Sequence, residues 1–485
     1  MTVYLVGAGP GDPGLLTRRG ADLLGRAEVV VYDRLAAPEL LELAPDADHV
    51  CVAKAPGRHS MTQDDINEML IEFGRAGHTV VRLKDGDPFV FARGGEECRA
   101  LADAGVPFEV VPGISSAIAA PAYAGVPVTL RHSSTALTIV TGHHDPDSPD
   151  SVDWQAIAAV GGTIVVLMGV ARIATIAAEL VAGGRSADTP VAAVRSGTRP
   201  DQRSVRATLG TIAAQDLRAP TTFVIGQVAS DEATVDWFES RPLFGVTVVV
   251  TRPTGGNEAL TAGLRARGAA VVPFPVVAIE GVVPSEVPDA GSYDWVAFTS
   301  ANAVRHFVVT QRDARAFGSA RVAAVGPSTA DALAAAGIAA DLVPPVHTAA
   351  DLRDALVGAG PGGASALVPQ PEQAQPTLVD GLRNAGWRVD PVTVYRTVPA
   401  TVDADAVDAV SRAQVVTFAS PSAVRAFHRL VPAERRPAVV ATIGPVTSAA
   451  VREAGHEVEV EADPHTAAGL IDALVRWRAA EARPA

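Results

Sequence analysis

The sequence predicts an α/β protein built from two domains of similar size. Apolar, β-branched runs alternate with alanine- and leucine-rich stretches along the whole chain, which is typical of layered helices and largely parallel strands. The 485 residues are too many for one hydrophobic core. A new strand pattern begins near Pro242, and an internal repeat follows it.

Composition limits the classes of function. The net charge of −14, with 48% apolar and 19% charged residues, argues against a nucleic-acid-binding surface. No apolar run reaches the roughly 18 residues of a membrane span, so we expect a cytoplasmic protein without membrane contact. Cys51 and Cys98 lack metal-ligand spacing and are interpreted as buried thiols, and no metal site is predicted.

The first strand runs into a glycine-rich turn, "YLVGAGPGDPGLLT" at residues 4–17. Its glycines fit the spacing of a dinucleotide-binding loop, and Asp33 ends the next apolar run, where a ribose-binding carboxylate would stand. Pro10 and Pro13, however, remove two backbone donors that a pyrophosphate would need. A Rossmann oxidoreductase therefore stays only as an alternative.

Two further strands end in loops rich in polar side chains. "VVRLKDGDPFVFARGGEE", residues 80–97, alternates charged and aromatic residues in a way that a solvated loop would not need. "VVPGISS", residues 110–116, ends with serines that open a helix, for which N-capping is the ordinary explanation. Because open α/β sheets bind ligands at the carboxyl ends of their strands, the three loops predict a ligand crevice.

Five ordered motifs resemble the uroporphyrinogen-III C-methyltransferases of the tetrapyrrole methylase fold: "VGAGPGDPGLLT", "VVYDRL", "RLKDGDPFVFARGGEE", "VPGISS" and "VTGHH". The resemblance covers residues 1–240 and implies S-adenosylmethionine as the methyl donor, without a metal. It implies that the donor site is lined by Pro10, Asp85, Gly86, Asp87, Val90, Ser115, Ser116, Met168 and Gly197. Core filling is the alternative for Met168. The family usually has glycine where this chain has Asp85 and Ala92.

The same resemblance implies residues around a tetrapyrrole. Asp33 would accept a proton and Lys54 would donate one; a helix cap and a surface amine are the respective alternatives. The remaining residues placed around the macrocycle are Arg34, Arg93, Glu96 and Arg131. Because the pKa of arginine exceeds about 12, Arg93 and Arg131 are assigned to substrate carboxylates. The resemblance also allows a homodimer through this half.

The second half of the chain repeats itself. "VAFTSANAVRHF" (296–307) recurs as "VTFASPSAVRAF" (416–427), "AAVGPSTADAL" as "ATIGPVTSAAV", and "HTAADLRDAL" as "HTAAGLIDAL". Such repeats predict two similar α/β lobes with a ligand cleft between them. Because the strand "GVTVVVTRP" has no equivalent before the second copy, one lobe is expected to be discontinuous. It would comprise residues 244–280 plus 398–485, around a lobe of residues 281–397.

This half resembles uroporphyrinogen-III synthase through "VTRP", "FTSANAV", "AAVGPSTADAL", "VTVYRT", "FASPSAV" and "TIGPVTSAAV", in that order. The resemblance implies closure of the linear hydroxymethylbilane with inversion of ring D and without a cofactor. Tyr395 would assist departure of the hydroxyl group. The candidate substrate contacts are Thr299, Ser300, Asn302, Ser420 and Thr447, with helix capping as their alternative. Arginines usual in the family are absent from "PQPEQAQPT".

The two resemblances together predict a bifunctional enzyme. Residues 243–485 would make uroporphyrinogen III, and residues 1–242, in subdomains of about 1–130 and 131–240, would methylate it at C-2 and C-7 to precorrin-2. The alternative is a methyltransferase fused to a non-catalytic tetrapyrrole-binding sensor. The sequence leaves open whether the product enters sirohaem or cobalamin synthesis.

Overall fold

The computed structural model describes residues 2–33, 38–52, 61–143, 152–251 and 258–481. The chain divides into two compact units, one of Met1–Val246 with Leu264–Ala270, the other of Thr247–Gly263 with Val271–Ala485. Four five-stranded sheets organise them, which confirms the α/β class. Over the described ranges, no helix combines the length and apolar character needed to cross a membrane.

The first sheet is parallel throughout and buried on both faces. Its strands are β1 (Val3–Gly7), β2 (Val29–Tyr32), β3 (Asp48–Cys51), β4 (Val80–Lys84) and β5 (Phe108–Val111), in the order β3-β2-β4-β1-β5. The helices of this region are α1 (Arg18–Leu24), α2 (Pro38–Leu41), α3 (Gln63–Arg75), α4 (Gly94–Asp103) and α5 (Ser116–Tyr123). Val29 and Val31 join one hydrophobic core and Val30 the core on the opposite face, because alternate residues of a strand point to opposite faces. Burial on both faces explains the continuous apolar runs in the sequence.

One cysteine prediction was wrong. Cys98 is buried, but Cys51 is exposed because it ends the edge strand β3, whose residues are mostly exposed.

The second sheet is mixed, which corrects the expectation of largely parallel strands. It contains β6 (Leu137–Thr141), β7 (Thr163–Leu167), β8 (Pro190–Arg195), β9 (Arg203–Thr208) and β10 (Thr221–Ile225), with helices α6 (Trp154–Val160) and α7 (Ile173–Ala182). The order is β6-β7-β10-β8-β9, and only β6 and β7 pair in parallel. Residues 196–202 between β8 and β9 are too few for a crossover helix, so these two neighbouring strands must run antiparallel.

The C-terminal unit contains two sheets and a discontinuous lobe. Its strands are β11 (Thr247–Val250), β12 (Ala270–Pro273), β13 (Val277–Gly281), β14 (Trp295–Phe298), β15 (Arg321–Ala324), β16 (Ser365–Pro371), β17 (Arg388–Pro399), β18 (Val415–Phe418), β19 (Val439–Thr442) and β20 (Val460–Glu461). Its helices are α8 (Glu258–Ala266), α9 (Ala301–Val308), α10 (Pro327–Ala335), α11 (Ala349–Ala359), α12 (Thr377–Asn384), α13 (Ala404–Ser411), α14 (Pro421–Leu430), α15 (Pro445–Glu453) and α16 (Ala467–Glu481). One sheet has the order β12-β11-β18-β19-β20 and the other β13-β17-β16-β14-β15. The chain thus leaves the first of these sheets after β12 and returns at β18, which confirms the predicted discontinuity.

The repeated motifs form the same local structure twice. Ser300 caps α9 by accepting from the Ala303 N–H at 3.1 Å, and Ser420 caps α14 in the same way at 3.2 Å. A Cβ atom on Gly326 would lie 3.1 Å from His347, and one on Gly444 would lie 3.0 Å from His465. The sequence repeat therefore encodes equivalent caps and equivalent glycine–histidine contacts in each lobe.

Candidate functional site

Strand ends from both sheets of the N-terminal unit surround a cavity of about 600 Å³. In the first sheet, β2, β4, β1 and β5 are consecutive parallel neighbours, so the loops that follow them lie at one edge. In the second sheet, the ends of β7 and β8 and the start of β10 contribute, because β10 runs antiparallel to both. All nine residues predicted for the methyl donor line this cavity: Pro10, Asp85, Gly86, Asp87, Val90, Ser115, Ser116, Met168 and Gly197. Asp33 lines it as well.

The first loop uses its backbone donors within the protein. The Gly9 N–H donates to the Gly86 carbonyl at 3.2 Å, and the Asp12 N–H donates to Thr198 Oγ1 at 3.0 Å. The Gly14 N–H donates to Asp12 Oδ1 at 2.8 Å. Together with the two prolines, which have no N–H, these bonds leave the loop poorly suited to hold a pyrophosphate. The nicotinamide alternative is therefore not supported.

Hydrogen bonds to Asp87 connect the loop after β4 to the loop after β5. Its Oδ1 accepts from the Phe89 N–H at 2.8 Å and its Oδ2 from the Gly113 N–H at 3.0 Å. Ser115 caps α5 by accepting from the Ala117 N–H at 3.2 Å, so the capping alternative holds for this serine although it also lines the cavity. The edge of the cavity is thus a set of loops fixed to one another.

We expect Gly113→Ala to disrupt this set of loops. A Cβ atom at Gly113 would lie 2.1 Å from the Gly86 carbonyl oxygen and 2.7 Å from Gly7 Cα, so backbone must move. The free energy of unfolding of the N-terminal unit should fall by about 2 kcal/mol, lowering its Tm in calorimetry by roughly 5 °C. Gly358→Ala is the control, because a Cβ atom there would meet nothing within 4 Å on the exposed side of α11. Equal Tm values for the two variants would contradict the tight packing of the loops.

Strained backbone concentrates at the cavity. Six non-glycine residues of the described ranges have positive φ, and Phe91, Met168 and Ser196, at 53°, 55° and 47°, line the cavity. Such conformations cost of order 1–3 kcal/mol each and cluster at functional sites. Met168 is 50% exposed, so the alternative that it fills the core is wrong.

A buried network of charged side chains holds the Asp33 side chain in place. Arg82 donates from Nη2 to Asp33 Oδ1 at 2.8 Å and from Nε to Glu97 Oε1 at 3.2 Å, and Lys84 Nζ donates to the same Glu97 oxygen at 2.8 Å. Burial opposes the charge on Arg82, but the Glu97 and Asp33 carboxylates outweigh it and raise the pKa of the guanidinium. Burial and the charge of Arg82 lower the pKa of Lys84. Asp33 is 31% exposed at the cavity, and Arg82 holds its carboxylate there.

Asp85 is the second carboxylate beside Asp33. Burial, reinforced by the charge of Asp33, raises the pKa of Asp85 to about 6, although Arg199, Arg82 and Lys84 act in the opposite direction. The cavity therefore holds a carboxyl group, that of Asp85, whose pKa is well above its ordinary value.

Three other residues predicted around a macrocycle do not line the cavity: Arg93, Glu96 and Arg131. Arg93 pairs with Glu96 through Nε–Oε1 and Nη2–Oε2 bonds of 2.8 and 2.6 Å on the exposed start of α4. Arg131 is exposed in a turn before β6. Among the described residues that line the cavity, none of these three occurs. Arg34 and Lys54 fall outside the described residues.

In the C-terminal unit, Tyr395 lies beside the cap of α9. Its side chain is 7% exposed, its hydroxyl lies 3.2 Å from Ser300 Oγ, and its ring stacks on His306 at 5.9 Å. Thr299 directly precedes that cap, and Asn302 accepts from Arg305 at 3.1 Å. The structure thus brings four predicted residues into one neighbourhood of the lobe: Thr299, Ser300, Asn302 and Tyr395.

The two candidates in the other lobe lie at a helix cap and at a buried position. Ser420 caps α14, as its capping alternative predicted. Thr447 is 3% exposed, and its counterpart in the repeat, Thr329, is buried too. The repeat therefore places this threonine in an equivalent buried position in each lobe.

Several lining residues were missed by sequence reasoning. Arg199 and Ser196 lie in the short connection after β8, where the sequence contains no recognised motif. Ala171 and Pro220 also lie in segments without a recognised motif. The charges of "VVRLK" in β4 were the available signal for the buried network, because a continuous apolar strand rarely contains two cations without partners.

Comparison with known proteins matches each half of the chain to a protein family. The family model of tetrapyrrole (corrin/porphyrin) methylases matches residues 2–213, and that of uroporphyrinogen-III synthase HemD matches residues 258–472. The porphyrin biosynthesis protein HemD of Ruminiclostridium josui is 35% identical over 442 residues, 88% of each chain. The S-adenosyl-L-methionine-dependent uroporphyrinogen III methyltransferase of Methanosarcina barkeri is 50% identical over 232 residues, 47% of this chain and 91% of the relative.

A solved structure was also matched, that of uroporphyrin-III C-methyl transferase from Thermus thermophilus complexed with S-adenyl homocysteine. It is 41% identical, with a TM-score of 0.42, and the match covers 47% of this chain and 98% of that one. The chain spans about half the length of the siroheme synthases that it also matches. The chain therefore belongs to the tetrapyrrole methylases through its N-terminal half and to the uroporphyrinogen-III synthases through its C-terminal half, and it is an enzyme of porphyrin biosynthesis.

Proposed function

We propose that the C-terminal unit closes hydroxymethylbilane to uroporphyrinogen III and that the N-terminal unit methylates this product twice with S-adenosylmethionine, giving precorrin-2. The observation that carries the methyltransferase part is that all nine residues predicted for the donor line one cavity, with Asp33 beside them. The similarity to the S-adenosyl-L-methionine-dependent uroporphyrinogen III methyltransferase of Methanosarcina barkeri supports the same donor and the same methylated substrate.

The cavity fits the methyl donor chemically. Its volume of about 600 Å³ lies in the range of small-molecule sites. Val90, Leu167 and Met168 supply apolar surface, while Asp33 and Asp85 supply carboxylates toward a sulfonium and an amine. A Cβ atom on Gly197 would lie 2.3 Å from that of Ala120, so the loop after β8 packs closely on α5 at this point of the cavity lining. Carboxylates and an apolar surface suit this donor better than they suit a phosphate.

In the proposed reaction, the donor supplies an electrophilic methyl group to a pyrrole carbon of the substrate. The residues of the chain bind and orient the reactants and exclude water, and this positioning provides most of the rate. Asp33, held at Oδ1 by Arg82, accepts the proton that leaves the macrocycle on its other oxygen. Arg93 and Arg131, both exposed, bind carboxylates of a substrate that is larger than the cavity.

The synthase part of the proposal rests on the residues around Tyr395. In this proposal, the Tyr395 hydroxyl, 3.2 Å from Ser300 Oγ at the start of α9, assists departure of a hydroxyl group from the substrate. The lobes would hold the flexible substrate so that the inverted closure is faster than the uninverted one. A non-catalytic sensor remains the second candidate, favoured by the absence of arginine from "PQPEQAQPT".

Calorimetric titration of the full chain tests the donor site. We expect one S-adenosylhomocysteine to bind per chain, and NAD to give no heat. Ala171→Trp should weaken binding at least tenfold, because Ala171 is an exposed residue of the cavity lining and the indole would occupy the cavity. Ala102→Trp, on the exposed face of α4, is the matched control. Binding of NAD instead, or equal affinities in both variants, would refute this site.

A further inference from the structure

Asp85 stands in a turn that is fixed from two sides. Gly86 exchanges two backbone hydrogen bonds with Gly9, at 2.9 and 3.2 Å, and the next residue, Asp87, accepts from the Gly113 N–H at 3.0 Å. This turn follows β4 and lines the cavity beside Asp33, which follows the neighbouring β2. The fold therefore places the carboxyl group of Asp85 near that of Asp33 in a cavity that Asp87 also lines.

The charges that face Asp85 come from three elements. Asp33 follows β2, Arg82 and Lys84 belong to β4, and Arg199 lies in the connection between β8 and β9. Burial and the like charge of Asp33 outweigh the three cations, which is why the pKa of Asp85 rises to about 6. Around pH 6 this side chain is therefore present in both its protonated and its ionised form.

We propose that Asp85 couples its own ionisation to the charge of the methyl donor. When the sulfonium compound S-adenosylmethionine binds, the carboxyl group of Asp85 ionises and its proton passes to the buffer. The neutral thioether S-adenosylhomocysteine binds without this release. A nearby positive charge favours an ionised carboxylate, and by linkage the affinity for that cation rises with pH. The affinity of the chain for the donor relative to the product is thus higher at a pH above the pKa of Asp85 than at a pH below it. This inference rests on the proposed function.

The expected size of the effect follows from the titration. If the sulfonium returns the pKa of Asp85 to its ordinary value of 3.8, about half a proton leaves per donor bound at pH 6. The affinity for the donor relative to the product should then rise about fourfold between pH 5.5 and pH 7.5.

Calorimetry of the full chain at pH 6, in two buffers of different ionisation enthalpy, counts the protons directly. We expect release with S-adenosylmethionine and none with S-adenosylhomocysteine. Asp85→Asn should abolish the release and flatten the affinity ratio with pH. Asp33→Asn should reduce the release, because removing the neighbouring negative charge lowers the pKa of Asp85. Asp103→Asn, at the exposed end of α4, is the control and should behave as the unmodified chain.

Three outcomes overturn the coupling while leaving the proposed function intact. These are binding of both compounds with no proton release, equal release with both, or unchanged release in Asp85→Asn. The comparison of the two compounds on the unmodified chain needs no variant, so a folding defect cannot obscure it. If neither compound binds, the donor site of the proposed function fails, and the coupling fails with it.

Discussion

Asp33→Asn is expected to slow methyl transfer by about 100-fold or more, the usual cost of losing a general base. The amide is the same size as the carboxylate and its oxygen can still accept from Arg82, so the cavity should keep its shape. It cannot take up a proton at neutral pH, however. The defect should therefore appear in kcat, measured from formation of methylated product, while calorimetric binding of S-adenosylhomocysteine changes little.

The control for this prediction is Asp22→Asn, an equivalent replacement on the exposed side of α1 that should leave kcat unchanged. A kcat within tenfold of the unmodified chain in Asp33→Asn would remove Asp33 as the base and point to another proton acceptor in the cavity. Loss of binding together with kcat would instead assign Asp33 to the donor site.

The position of the cavity could be predicted because it depends on local rules. Each of its loops follows an apolar run, and parallel strands bring such loops to a common edge. The prolines of the first loop were informative for a similar reason, since a residue without an N–H cannot help to hold a phosphate. The structure adds what the sequence could not show: Gly9 and Asp12 already donate their N–H groups to other loops of the same unit.

The support behind the site could not be predicted, because it depends on contacts between distant segments. Arg82 and Glu97 are separated by 14 intervening residues, yet they meet behind Asp33, and only the folded sheet brings the three together. Arg199 enters the same cavity from the second sheet. The antiparallel pairing of that sheet was missed for a related reason, since apolar runs give strand positions but not strand direction.

The second large effect is expected in the isomer formed from hydroxymethylbilane. This compound also closes without an enzyme to the uninverted isomer, so an active synthase must be faster than a spontaneous reaction. The full chain, given fresh hydroxymethylbilane without S-adenosylmethionine, should yield mainly the type III isomer. With the donor present, mass analysis should show two added methyl groups, as expected for precorrin-2.

Tyr395→Phe tests the residue proposed for this closure. Removing one hydroxyl that contacts Ser300 should slow formation of the type III isomer by about 3- to 10-fold, the value of one hydrogen bond. It should not abolish the reaction, because confinement between the lobes provides most of the rate. Tyr293→Phe is the matched control, since its hydroxyl donates to Asp390 at 2.9 Å and has no proposed part in the chemistry. If the chain binds hydroxymethylbilane but leaves the isomer ratio at its uncatalysed value, the C-terminal unit is a sensor, and the synthase proposal is wrong for this chain.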